Sequence, residues 1–134
     1  METLIESIQA LIDQHEAFKL KWLDLTVPDM FKWIELKETM KRRAIELKSE
    51  IIEAKQQLDK DKGVRFLLLK SQLDDDGKRL TEKAIDSMLR VEFEKRDADY
   101  NALGKYRELL IECAENVLEY VNVVKLNLKN DLPF

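Results

Sequence analysis

Apolar residues recur along most of the chain at intervals of three and four positions, the spacing that lines one face of an α-helix. At the start of the chain this spacing predicts a first helix from Met1 to Lys21. Its apolar positions are Leu4, Ile8, Leu11, Ile12 and Phe18. A break follows at Pro28, because proline disfavours helix at the residue before it and suits the first turn of the next helix.

A second, longer helix is predicted from Pro28 to Lys62, since no glycine or proline interrupts this stretch. Gly63 fits the position just beyond a helix end, where the left-handed conformation costs glycine little. The spacing of the apolar positions is that of a coiled-coil seam. These positions are Leu36, Met40, Ala44, Leu47, Ile51, Ala54 and Leu58.

Shorter elements are predicted in the next part of the chain. An apolar cluster within Val64–Leu73 suggests a short helix, and Asp74–Gly77 has the composition of a turn. Thr81 is suited to cap the N-terminus of a third helix, because its hydroxyl can accept a hydrogen bond from a free backbone N–H. We expect that helix to fray in the charged stretch from Glu92 to Asp99.

The last predicted helix begins between Asp97 and Leu103 and runs to about Lys129. Its heptad seam consists of Leu103, Tyr106, Leu110, Cys113, Val117, Tyr120 and Val124. Flanking apolar residues widen this stripe beyond a strict seam, which suits a helix that contacts two neighbours. We therefore predict an all-α single domain over residues 1–134 that forms a homo-oligomer. Residues 1–70 would contain the N-terminal helices with a basic DNA-binding face. Residues 78–134 would form a helical oligomerisation region that ends in the coiled-coil-like helix.

The charge distribution points to a local anion-binding surface. Charged residues make up 37% of the chain and the net charge is −4. Residues 1–29 and 71–134 each carry a net charge of −4, whereas residues 30–70 carry +4. A protein that coats nucleic acid over its whole surface would be basic throughout, so a confined basic face is the better interpretation.

The candidate nucleic-acid-binding residues lie in this basic stretch. They are Lys41, Arg42, Arg43, Lys48, Lys55, Lys60, Lys62 and Arg65. In a single helix these residues can equally form a solvated surface whose charge is balanced by Glu46, Glu50 and Glu53. In an oligomer, the basic surfaces of neighbouring copies would form a continuous positively charged surface that can bind a phosphate backbone.

Nearby aromatic residues could stack on unpaired bases, although aromatic residues in helices usually pack in a core. They are Trp22, Phe31, Trp33 and Phe66, and of these Trp33 is expected to be the exposed exception.

Residues suited to catalysis are sparse. His15 is the only histidine, and a solvated or structural role is expected for it. Cys113 is the only cysteine, which excludes an intrachain disulfide, and its seam position predicts a small buried hydrophobe. The three aspartates at 74–76 lack the alternating pattern of a calcium loop. We expect a protein that is not an enzyme and needs no metal or cofactor.

The sequence contains no signal peptide and no apolar run long enough to span a membrane. We therefore expect the protein in the cytoplasm, without a membrane association.

Several segments together resemble the UvsY family of recombination mediators from large tailed phages. Leu25–Trp33 has an apolar residue before proline and then a helix that opens with aromatics. The long charged helix ends in Glu53–Asp59 and is followed by Gly63. Leu80–Ile85 with Met88 and Leu89 is similar to the family's helix before its final coiled-coil helix, and Val123–Leu132 is similar to its C-terminus.

The resemblance implies a protein without catalytic activity that forms a ring through its C-terminal helices and binds single-stranded DNA in the bacterial cytoplasm. Its partners would be a RecA-like recombinase and a single-strand-binding protein. It would act as a mediator that helps to load the recombinase onto single-stranded DNA covered by the single-strand-binding protein. The family's Lys-x-Arg motif near the end of the long helix is matched by Lys55, but Gln57 stands in the arginine position. The alternative function is a coiled-coil adaptor that binds another protein and has no nucleic-acid role.

Overall fold

The computed structural model describes the backbone of residues 2–131 and the side chains of residues 3–126. Met1 of the predicted first helix and Leu132 of the C-terminal resemblance lie outside these residues. The described residues form four α-helices, α1 (Glu2–Leu20), α2 (Val27–Lys70), α3 (Glu82–Glu92) and α4 (Glu94–Asp131), with a 3-10 turn at Trp22–Asp24. No strand is present among the residues described, and the predicted all-α class is confirmed.

Two helix starts are fixed by threonine caps. The Thr26 hydroxyl accepts a hydrogen bond from the backbone N–H of Asp29 at 3.2 Å, and the Asp29 carboxylate accepts one from the N–H of Thr26 at 3.3 Å. The hydrogen bond from the Thr26 backbone N–H lowers the pKa of Asp29, because it favours the charged carboxylate, and the Thr26 side chain acts in the same direction. Thr81 caps α3 through the N–H of Ala84 at 3.1 Å, as predicted. Both caps satisfy backbone donors that the first helical turn leaves without partners.

The predicted end of the second helix at Gly63 is wrong, because α2 continues through Gly63 to Lys70. A glycine inside a helix costs about 1 kcal/mol relative to alanine. Contacts on both sides of the glycine offset that cost. Leu69 is fully buried, and Lys62 and Arg65 form ion pairs with residues of the following helices. The apolar cluster assigned to a separate short helix is therefore the end of α2.

The predicted turn at Asp74–Gly77 is present between α2 and α3. The Asp74 carboxylate accepts hydrogen bonds from the N–H of Asp76 and of Lys78, and Gly77 has a φ of +75°. Only glycine adopts that conformation without strain. The turn is closed by a single antiparallel bridge between Leu73 and Arg79.

The boundary between the last two helices lies earlier than predicted. Only Phe93 separates α3 from α4, and α4 begins at Glu94 rather than between Asp97 and Leu103. Phe93 is buried, with 9% of its surface exposed. Its burial holds the charged stretch in a helix that the sequence composition suggested would fray.

The chain forms two compact units. The first contains the chain up to Lys48 and again from Leu103 onwards, and the second contains Ser49–Ala102. This division differs from the predicted N-terminal and C-terminal regions, because α2 and α4 each contribute residues to both units. No helix among the described residues has the length and apolar content to cross a bilayer.

The core of the first unit is built from α1, α2 and α4. Its large, fully buried side chains are Ile8, His15, Trp33, Met40, Leu47, Leu103, Leu110, Val117 and Val121. The guanidinium of Arg107 on α4 donates a hydrogen bond to the carbonyl of Ala44 on α2 at 3.1 Å. The second unit has a smaller core, which consists of Leu58, Leu69, Ile85 and Phe93.

Candidate functional site

The candidate basic surface lies on α2, and the structure divides its eight predicted residues into two groups. Lys41, Arg42, Lys48 and Lys60 are exposed, and none of them forms an ion pair with a residue that the structure describes. Lys41 and Lys48 are seven positions apart, so they lie on nearly the same side of the helix, about 10 Å from each other along its axis. Arg42 follows Lys41 about 100° further around the helix.

Two of the predicted residues pair with acids on their own helix. The Arg43 guanidinium lies 3.1 Å from the Glu46 carboxylate, and the Lys55 ammonium lies 3.1 Å from that of Asp59. The hydrogen bond with Asp59 raises the pKa of Lys55, because it favours the charged ammonium. Lys55 also lies 5.6 Å from the ring centre of Tyr100. It is half exposed, so its ion pair is weak and can be exchanged.

Two further predicted residues connect α2 to the following helices within the second unit. Lys62 pairs with Asp97 of α4 at 2.7 Å, and Arg65 pairs through two nitrogens with Glu92 of α3 at 2.9 Å. The Arg65 pair raises the pKa of the guanidinium and lowers the pKa of Glu92. Because a two-bond Arg–carboxylate pair is geometrically matched, these cations have a structural role in the folded chain.

Lys37 precedes Lys41 by about one helical turn, but it does not extend the exposed cations of α2. Lys37 is buried, with 8% of its surface exposed, and its ammonium lies 3.2 Å from the Glu38 carboxylate. Of the eight predicted residues, those left open on the first unit's part of α2 are thus Lys41, Arg42 and Lys48. Lys32, which was not among the eight, is also exposed there and forms no ion pair with a described residue.

Among the aromatic residues, the prediction for Trp33 is wrong. Trp33 is fully buried and its indole N–H donates a hydrogen bond to Nδ1 of His15 at 3.0 Å. A sequence signal for this burial exists, because Trp33 precedes the seam residue Met40 by seven positions. Phe31 is the exposed aromatic instead, with 63% of its surface accessible, while Trp22 and Phe66 are half-buried.

The seam predicted for oligomerisation is filled largely within one chain. Leu103, Leu110, Cys113, Val117 and Val124 are buried, whereas Tyr106 and Tyr120 are half-buried. Apolar side chains that remain exposed on α4 lie outside this seam. Among the side chains of α4 that the structure describes, they are Leu109, Leu118, Val123 and Leu126. Self-association through α4 in this conformation would therefore use its outer surface, and self-association itself stays a prediction.

His15, Glu16 and Cys113 come together inside the first unit, with one possible ligand atom from each within 4.8 Å of the others. Trp33 decides the chemistry of this cluster. An indole N–H only donates, so Nδ1 of His15 presents its lone pair to Trp33 and the proton of the neutral imidazole lies on Nε2. A protonated Nε2 has no lone pair for a metal. It is buried and has no hydrogen-bond partner among the described residues.

The protonation states of His15 and Cys113 also make Cys113 a poor nucleophile. Burial lowers the pKa of His15 and, together with the carboxylate of Glu16, raises the pKa of the Cys113 thiol. The imidazole is therefore kept neutral and the thiol protonated, the reverse of the ion pair that activates a cysteine. The geometry fits the predicted structural role of both residues.

Comparisons with protein-family models, with curated proteins and with solved structures found no match to this chain. The resemblance to the UvsY family thus depends on the sequence segments described above and stays a prediction.

Proposed function

We propose that this chain is a non-enzymatic protein that binds single-stranded DNA and acts as an accessory factor for a RecA-like recombinase. The observation that carries the proposal is the set of exposed cations on α2. Lys41, Arg42 and Lys48 form no ion pair with the described residues and are free to contact phosphates. A contact to these side chains releases counterions without breaking an existing ion pair.

The paired cations are less suited to this role. Arg65 and Lys62 would have to exchange carboxylate partners at 2.9 and 2.7 Å for phosphates, which would weaken the second unit. Lys55 and Arg43 can exchange more easily, since their partners are exposed acids on the same helix. We therefore assign the primary contacts to Lys41, Arg42 and Lys48, with Lys60 as a separate exposed cation on α2.

The three primary contacts of one subunit support only weak binding, so the proposal includes a homo-oligomer. Several copies that bind the same strand raise the effective concentration of each contact, and the total affinity exceeds that of one subunit by orders of magnitude. The partners proposed beyond DNA, a RecA-like recombinase and a single-strand-binding protein, are supported by the sequence resemblance to the UvsY family.

The test is a fluorescence anisotropy titration of a labelled oligothymidine at about 50 and about 200 mM salt. The wild-type protein should bind at the lower salt concentration and lose affinity steeply at the higher one. Replacing Lys41, Arg42 and Lys48 together by alanine should weaken binding and lower the salt slope by about 2, since each contact to a single strand contributes about 0.7.

A matched control removes three positive charges elsewhere. Lys83, Arg90 and Lys95 are exposed on α3 and α4, and their combined replacement by alanine should leave the affinity nearly unchanged. If both triple variants lose affinity equally, binding follows net charge and the assignment to α2 fails. If the wild-type protein does not bind at the lower salt concentration, DNA binding itself is excluded.

One observation favours the adaptor function as a second candidate. Val64, Leu67 and Leu68 on the last turns of α2 expose 53%, 67% and 52% of their surfaces. Clustered exposed apolar side chains are typical of surfaces that bind other proteins. Under this alternative the protein would ignore oligonucleotides, and its binding to a protein partner would change little with salt.

A further inference from the structure

A small pocket on the first unit combines two aromatic rings with a carboxylate. It has a volume of about 270 Å³ and is lined by Trp22, Asn116, Glu119, Tyr120 and Val123. This size lies at the lower limit of small-molecule pockets, so it suits a compact group better than a large ligand. The α2 cations proposed to contact DNA do not line it.

The two rings form adjacent walls. The ring centres of Trp22 and Tyr120 are 5.6 Å apart and their planes are inclined by 58°. The position of the Tyr120 ring is fixed by Trp33, because Tyr120 stacks on this fully buried indole with ring centres 5.5 Å apart. Ring centres as close as those of Trp22 and Tyr120 are in packing contact, so a cation has no room between the two rings and can lie over the face of only one of them.

The polar residues of the pocket select for positive charge. Glu119 is exposed and forms no ion pair with any described residue, so its carboxylate can pair with an incoming cation. Asn116 offers an amide oxygen as a second acceptor. Val123 completes the lining with an apolar group that favours methyl or methylene groups over water.

We propose that this pocket binds an ammonium head group, either quaternary or at the end of a lysine side chain. One aromatic ring of the pocket contacts the ammonium group through a cation–π interaction, and Glu119 supplies the counter-charge. The experiment uses the full chain labelled with ¹⁵N, in which the two tryptophans give two indole N–H signals. A Trp22→Phe variant assigns them, because it removes the Trp22 signal.

Titration with choline should shift the Trp22 indole signal in a saturable way and leave the buried Trp33 signal nearly unchanged. The neutral isostere 3,3-dimethylbutan-1-ol should bind about 5- to 30-fold more weakly, the ratio that one desolvated cation–π interaction supplies. Sodium chloride at the same ionic strength should produce no saturable shift. Nα-acetyl-lysine amide tests the side-chain source of the same ammonium chemistry, and binding of either ammonium compound supports the proposal.

Glu119→Gln should weaken choline binding at least fivefold, whereas the matched control Glu115→Gln should leave it unchanged. Glu115 is exposed on the same helix and does not line the pocket. Both substitutions are on the surface, so both variants should fold. The proposal would be overturned if choline and its neutral isostere bound with equal affinity, or if a neutral nucleoside bound as tightly as choline. It would also be overturned if neither ammonium compound produced a saturable shift.

Discussion

Acidification should destabilise the first unit, because His15 can accept a second proton only by losing a hydrogen bond. His15 is fully buried and its Nδ1 accepts the indole N–H of Trp33. An imidazolium carries N–H groups on both nitrogens, so two donors would face each other across that contact. Burial, together with the positive charge of Lys19, lowers the pKa of His15 below its ordinary value of 6.5, although Glu16 opposes this shift.

The sign and the size of the effect follow from proton linkage. Below pH 6.5 the unfolded chain binds a proton that the folded chain does not, so the free energy of unfolding decreases as the pH falls. One proton changes that free energy by at most about 1.4 kcal/mol per pH unit. We therefore expect a loss of up to about 1.4 kcal/mol at about pH 5.5 relative to neutral pH.

The assay is urea denaturation followed by circular dichroism at about pH 7.5, 6.5 and 5.5, a range above the ordinary carboxyl pKa values near 4. The chain has one histidine, so a change in this range is assigned to His15. A His15→Gln variant should lose the pH dependence. Trp33→Phe should be less stable at neutral pH and should show a smaller pH dependence, because the opposing donor is gone.

A wild-type free energy of unfolding that stays constant between about pH 7.5 and 5.5 would refute this reasoning. It would mean that the folded protein accepts the proton without losing an interaction. The same decrease in wild type and His15→Gln would assign the titration to another group.

Four further substitutions test the helices by the free energy of unfolding in urea. Gly63→Ala should raise it by about 0.5–1 kcal/mol, because no atom outside the helix lies within 4 Å of an added Cβ, and a decrease would argue for a break in α2. Gly77→Ala should lower it by about 1 kcal/mol, since its φ of +75° strains any side chain; no loss would contradict the turn geometry. Thr81→Ala should cost about 1 kcal/mol through the lost cap of α3, and an unchanged value would show that the cap contributes nothing. Leu110→Asp should unfold the first unit, because it places a charge at a fully buried position; a folded monomeric variant in sedimentation would instead place the seam between copies.

Apolar periodicity predicted that α1, α2, α3 and α4 exist and located most of the buried positions of the long helices, but it did not give the end of α2 or the start of α4. The seam positions Met40, Leu47, Leu110 and Val117 are all fully buried. Periodicity does not tell which surface covers a seam, because an α1 side chain and a second copy of the chain bury a leucine equally well. The α4 seam was therefore assigned to oligomerisation, whereas the structure buries most of it within the chain.

Predictions made from neighbouring residues in the sequence were wrong where contacts between residues distant in sequence determine the structure. Gly63 has the composition of a helix end, but the ion pairs of Lys62 and Arg65 and the burial of Leu69 keep α2 helical beyond it. The candidate cations show the same limit. Arg65 and Lys41 are both basic residues in the same charged stretch of the sequence. Only the folded structure shows that Arg65 forms an ion pair with Glu92, whereas Lys41 forms none with a described residue.

The turn that ends at Gly77 offers a place to attach foreign sequence. Every residue from Ser71 to Arg79 is exposed, and the bridge between Leu73 and Arg79 holds the two sides of the loop together at its base. An insertion between Asp75 and Asp76 would interrupt no helix, and its entropic cost grows only slowly with length. An epitope or a fluorescent domain placed there would let the protein be immobilised or imaged with both of its termini left unmodified.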